Sequence, residues 1–191
     1  MNPTIWLLLI LSAAMVYSIL TFNRFVSLRN RLSNAFSDID VQLKRRHDLI
    51  PALVETVRGY AGHENQTLNE VVAARTKAMA APSGPGELSA RATTETGLTQ
   101  ALRGIFVLVE DYPALKADTN FLELHKGLVD IEDDLQSARR YYNAVVRDFN
   151  TRIQSLPDVL VARNAGFHEF AFFELPDPSE AEVPQVDFGT E

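Results

Sequence analysis

The sequence predicts an all-α protein: an N-terminal transmembrane helix followed by an antiparallel up-down four-helix bundle. Three observations predict it. The first 23 residues carry no charged side chain, whereas Arg24, Arg29, Arg31, Lys44, Arg45 and Arg46 follow close behind. Apolar residues then recur every three or four positions over four separate stretches, the period of a helix with one buried face. Breaks bearing Gly or Pro divide those stretches.

The membrane segment comes first. Within residues 5–22 the expected spanning residues are Ile5, Trp6, Leu7, Leu8, Leu9, Ile10, Leu11, Met15, Val16, Tyr17, Ile19, Leu20 and Phe22. A hydrocarbon core of ~30 Å needs about 20 helical residues at ~1.5 Å each. No basic stretch precedes the run and no clean A-x-A site follows it, which argues against a signal peptide. The chain has no Cys, so lipoprotein processing is excluded. Nearby Lys and Arg lie only on the C-terminal flank. The positive-inside rule then places the N-terminus outside and residues 24 onward in the cytoplasm.

The next stripe is Phe25, Leu28, Leu32, Phe36, Ile39, Leu43, Ile50, Leu53, Val57 and Tyr60. It starts in phase with the membrane helix, with no Gly or Pro between, so one rod should leave the bilayer. The polar run KRRHD at residues 44–48 interrupts the stripe, and Pro51 predicts a kink. Gly59 and Gly62 predict a turn near residues 62–64. Leu68, Val71, Val72, Arg75 and Met79 make a second, shorter helix. The run APSGPG at residues 81–86 is the clearest loop. A third helix follows on Leu98, Leu102, Ile105, Val109 and Tyr112. Its start is poorly written, because Thr93, Thr94 and Thr96 are mediocre helix formers. Pro113 ends it. The fourth helix opens on Asn120 and Glu123, spaced as a capping box, and carries Phe121, Leu124, Leu128, Ile131, Leu135, Ala138, Tyr142, Val145, Phe149 and Ile153. Pro157 terminates it, and a short helix is expected over residues 158–163. The organisation is thus an anchor at 1–23, a helical body at 24–163, and a tail at 164–191. That tail is aromatic, then acidic, and expected to be disordered from about residue 175. Helices one and four should each run roughly 36 residues, or ~55 Å, beyond the membrane. After three reversals the end of helix four should return to the bilayer surface.

Charge narrows the function classes. The formal net charge is −7, and residues 164–191 hold seven acids with no Lys or Arg. The 18 remaining acids match the 18 Lys and Arg, so the body is neutral and has no broad basic field for nucleic acid.

Two blocks resemble a known family. They are RNRLSNAFSDIDVQLKRRHDLIPALVETVRGYAGHENQTLNEVVAARTKA at residues 29–78 and YPALKADTNFLELHKGLVDIEDDLQSARRYYNAVVRDFNTRIQSLP at residues 112–157. Both are similar to the LemA family. The resemblance implies a single-pass protein of the bacterial inner membrane with a cytoplasmic antiparallel four-helix domain. It implies no catalytic activity, no cofactor and no set of active-site residues. Members are often encoded near membrane-bound metalloproteases, and one branch is associated with magnetosome membranes. The linker APSGPGELSARATT departs from the family's usual run into helix three.

The catalytic constellations fail on spacing. His63-Glu64 begins a zincin motif, but the fifth position is Thr67. No His stands three residues after a Glu, as di-iron bundles require. No G-x-S-x-G, phosphate loop or G-x-G-x-x-G occurs. One polar group stands out. Arg46 falls where helix one wants an apolar residue, and a half-buried Arg needs a carboxylate or carbonyl partner. Arg45, Arg46, His47 and Asp48 on helix one, with Glu132, Asp133 and Asp134 at similar height on helix four, form a candidate polar interaction site. It serves either an internal ion-pair network or a partner. Arg139, Arg140 and Tyr141 read mostly as surface. Phe167, Phe170, Phe172 and Phe173 either fold back on the bundle or contact the membrane or a neighbouring protomer. The return of helix four to membrane level favours the latter.

These readings predict a non-enzymatic, membrane-anchored scaffold or adaptor that forms homo-oligomers. The alternative is a regulatory partner of a membrane protease, a stress-signalling complex or another membrane protein.

Overall fold

Helix α1 runs unbroken from Pro3 to Tyr60, 58 residues or ~87 Å at ~1.5 Å each. The structure, a computed structural model, describes residues 3–84 and 87–173. Its further helices are α2 (Asn65–Ala80), α3 (Leu88–Glu110), α4 (Pro113–Lys116), α5 (Thr119–Gln154) and α6 (Asp158–Ala165), and no strand occurs among the described residues. The acidic part of the tail and the tip of the 81–86 loop lie outside the described residues.

The first part of α1 is exposed, Leu8 and Ile10 each at 65%. From Phe25 onward the same helix buries one face: Phe25, Leu32, Ile39, Leu43, Ile50, Leu53 and Val57. Pro51 does not end it. Proline has no N–H for the carbonyl one turn back, that of His47. Arg75 Nε of α2 donates to that oxygen at 2.7 Å instead.

Three boundaries differ from the expectation. α3 begins at Leu88, ahead of the threonines. Their hydroxyls donate to carbonyls three or four residues back, Thr93 to Ser89, Thr94 to Arg91 and Thr96 to Ala92, so they stay in the helix with their polar groups satisfied. After α3 comes the extra turn α4, with Pro113 at its start, where a missing N–H is no loss. The cap of α5 is Asp118 rather than Asn120. Its backbone is extended, and its Oδ1 accepts from Phe121 N–H at 2.9 Å.

α5 runs back along α1, as paired side chains show. The rings of Phe25 and Phe149 meet edge-on at 5.8 Å and those of Phe36 and Tyr142 at 6.2 Å. At the far end Tyr60 donates to Asp118 Oδ2 at 2.9 Å. That hydrogen bond raises the Tyr60 pKa, while the Phe121 N–H and then the Tyr60 hydroxyl hold the Asp118 carboxyl below its ordinary range. Gly127 permits the approach, since a Cβ there would stand 3.3 Å from Leu49 Cδ1. α2 and α3 pack on each other and, with α1, α4 and α5, enclose one core that includes Leu53, Leu68, Leu98, Ile105, Leu115 and Phe121. A second core lies between α1 and α5 nearer the stem, the exposed stretch of α1 at residues 5–22, around Leu43, Leu135, Tyr142 and Val146. Burying each such side chain contributes about 1.5–3 kcal/mol.

α6 then turns beside the exposed part of α1. Tyr17 and Thr21 both donate to Asp158, which also pairs with Arg152 at 3.2 Å. Gly166, at φ 72°, adopts the left-handed conformation that closes α6 and sends residues 167–173 back along α5.

Candidate functional site

Arg46 occupies a buried position in the stripe of α1, as its place in the sequence requires. Its guanidinium donates to Thr99 Oγ1 at 2.8 Å and to Glu95 Oε2 at 3.5 Å, and stands 3.4 Å from Glu132 Oε2. The other Glu95 oxygen faces His47 Nε2 at 2.9 Å. Glu95 is 1% exposed. So one carboxylate of α3 is held between two cationic or N–H-bearing groups of α1, and Glu132 of α5 closes the ring from the other side. Arg139 of α5 lies 3.8 Å from Glu132 Oε1 and is buried. This corrects the surface reading of Arg139: its position three before Tyr142 puts it on the inner face.

The network joins Arg46, His47 and Glu132 from the sequence-derived set. It leaves out the others. Arg45, Asp133 and Asp134 are exposed, and Asp48 pairs with Lys44 on the surface at 3.2 Å. Glu95 and Thr99 were not in that set. The signal existed: Glu95 stands three residues before Leu98, in the apolar phase of α3. Nearer the stem a second buried cation, Arg91, approaches Asp40 across α3 and α1 and lies 5.7 Å over the Phe36 ring.

Between α3 and α5 the network opens into a cleft of about 290 Å³, lined by Arg46, Glu95, Thr99, Phe106, His125 and Glu132 among others. The chemistry available is that of paired charges. Glu95 is spent accepting from Arg46 and His47. Among the described residues no group of three or more His, Cys, Asp or Glu is placed to hold a metal ion. Removing one partner of such a buried pair costs about 3–5 kcal/mol, because the other is left uncompensated. The network therefore ties α1, α3 and α5 at one level.

The aromatic segment lies on its own chain. Phe167 stacks on Phe25 at 5.0 Å and meets Phe22 at 5.7 Å. Phe170 sits edge-on to Phe149 at 5.1 Å, and Phe173 is buried beneath the Arg139 guanidinium, 5.0 Å from the ring centre. Of the four rings Phe172 alone is exposed. Two asparagines hold the backbone. Asn150 Nδ2 donates to Phe170 O at 2.9 Å while its Oδ1 accepts from Phe170 N–H at 3.0 Å; Asn143 does the same with Phe173 at 3.0 and 2.8 Å. The spacing matches. Seven helical residues rise ~10.5 Å, and three extended residues span ~10 Å. Tyr142 adds a bond to Ala171 O at 3.2 Å, and burial pushes its hydroxyl pKa up to about 12.

Comparison with known proteins gives the chain's relatives. The family profile described as LemA family matches residues 35–188. The chain is 28% identical over 171 residues to Protein LemA of Metamycoplasma hominis, across 88% of this chain and 73% of that protein. It is 23% identical over 192 residues to Magnetosome protein MamQ of Magnetospirillum gryphiswaldense, across 88% and 71% respectively. To Magnetosome protein MamQ 2 of Paramagnetospirillum magneticum it is 24% identical over 178 residues, across 82% and 65%. A profile match over residues 35–188, which hold the buried charges and the asparagines that bind residues 167–173, leaves one assignment: the chain belongs to the LemA family.

Proposed function

We propose that the chain is a non-enzymatic, membrane-anchored scaffold or adaptor that self-associates. In this reading residues 5–22 cross a bacterial inner membrane and residues 24 onward stand on the cytoplasmic side. Helices α1, α2, α3 and α5 form an up-down four-helix bundle on that stem. The observation that carries it is the continuity of α1 from an exposed apolar stretch into a buried core. An unbroken helix has no swivel, so the bilayer fixes how the body stands. Anchored copies then present the same faces to one another at raised effective concentration. The buried network around Arg46 and Glu95 supports a non-catalytic role, because its acids are engaged by its own cations. The names of the relatives denote no reaction.

The absence of Cys makes the test direct. Single cysteines placed at exposed positions such as Val107 and Val129 are oxidised in native membranes. Disulfide-linked dimers from at least one face are expected. Monomers at every position would remove self-association from the account.

A further inference from the structure

We propose that Arg24, Arg31 and Arg152 form a binding site for the phosphate of an anionic phospholipid headgroup. The proposal rests on the reading that residues 5–22 span the membrane. Arg24, Ser27, Leu28, Arg31 and Arg152 line a cleft of about 330 Å³. The four α1 residues are spaced i, i+3, i+4 and i+7, so they share one face. Arg152 enters from the last turn of α5, so the site exists only when α5 is packed on α1. Arg24 and Arg31 are exposed, and among the described residues no carboxylate pairs with either. Arg152 is already tied to Asp158 at 3.2 Å. Two unneutralised guanidiniums thus face one cleft, with the Ser27 hydroxyl as a further donor and Leu28 as an apolar floor. Guanidinium forks suit phosphate oxygens, which they can engage in bidentate fashion.

Depth selects the lipid over a soluble phosphate. Arg24 lies two residues beyond Phe22, ~3 Å along the helix, and Arg31 ~13 Å. Side chains of a helix lean toward its N-terminus, here toward the bilayer, so both reach back into a headgroup layer roughly 5–8 Å thick. α6 marks the same level independently. Leu160 borders a groove with Ser18, Ile19 and Phe22, yet it is 60% exposed and Leu156 is 79% exposed. Two leucines left in the open beside the stem suit the interfacial zone of a membrane.

The test uses the full chain in nanodiscs of equal phosphatidylcholine and phosphatidylglycerol. Lipids retained after release are counted by native mass spectrometry. The wild type should retain phosphatidylglycerol in preference. Arg24→Gln and Arg31→Gln should each lower that preference about tenfold or more, the loss of a charge-assisted hydrogen bond to phosphate. Arg29→Gln removes an equal charge at a depth between theirs from another face of α1, and should change it by no more than the roughly fivefold of a diffuse surface charge. Equal losses for all three would overturn the site in favour of diffuse charge. Displacement of phosphatidylglycerol by millimolar inorganic phosphate would overturn the lipid assignment. Failure of the wild type to enter nanodiscs would instead overturn the membrane-anchor reading beneath it.

Discussion

The stem, residues 5–22, and the strap, residues 167–173, are both rich in large apolar side chains, yet the stem stands exposed and the strap lies on the body. Hydrophobicity does not separate them; backbone chemistry does. The stem is helical, so its N–H and C=O groups pair within the segment and it can face an apolar medium without partners. The strap is not helical, and its backbone groups need outside partners. Asn143 and Asn150 provide them, each exchanging two hydrogen bonds with one strap residue. Where an apolar segment ends up is decided by whether it can satisfy its own main chain.

The sharpest way to break this contrast is Phe173→Ala. The ring is 4% exposed, so truncation should cost about 3–5 kcal/mol in denaturant unfolding of the detergent-solubilised protein. A negligible cost would show that the strap rests on the surface without being packed. Next come Asn143→Ala and Asn150→Ala. Each leaves a strap N–H and C=O unpaired and should destabilise by about 1–3 kcal/mol. Hydrogen exchange at the Phe170 and Phe173 amides should speed up while α5 stays protected; unchanged exchange there would mean the asparagines do not hold the strap.

Tyr142→Phe should cost less, about 0.5–1.5 kcal/mol for the bond to Ala171. It also carries a pH signature. The folded pKa of about 12 lies above the ordinary 10, so folding favours the neutral hydroxyl. That stabilisation is complete below pH 10 and lost as the pH rises through 12. Unfolding free energy should fall over this window in the wild type and fall less in Tyr142→Phe, where Tyr60, also raised, remains. Identical slopes would place the effect elsewhere. The smallest change is expected in the stem. Leu9→Ala should alter unfolding of the body by no more than about 0.5 kcal/mol, since Leu9 is 54% exposed. A loss above 1 kcal/mol, of the size about 1 kcal/mol or more seen for buried methylenes, would mean the stem is packed on something.

Local signals were legible in the sequence and non-local ones were not. The stem, the stripe of α1 and the turn after Tyr60 follow from composition and period. Arg46 was found because a cation in an apolar slot demands a partner. Glu95 obeys the same logic, but three threonines blurred the phase of α3, and they are helical only because their hydroxyls bond back to the preceding turn. Arg139 was hidden by its neighbours Arg140 and Tyr141, which are exposed. Asn143 and Asn150 sit seven apart on α5, a visible spacing. Nothing local says that an extended segment 20 to 30 residues downstream will bind them. The cap at Asp118 was missed because Asn120 and Glu123 offered a better-known pattern two residues later.

Pro51 has an effect that reaches beyond its own helix. By withholding an N–H it leaves the His47 carbonyl as an acceptor that α1 cannot fill, and the guanidinium of Arg75 fills it from α2. Apolar contacts between α1 and α2 are strong but non-directional. A single orphaned oxygen, wanting a donor at one height only, adds a directional marker for the level at which α2 sits along α1.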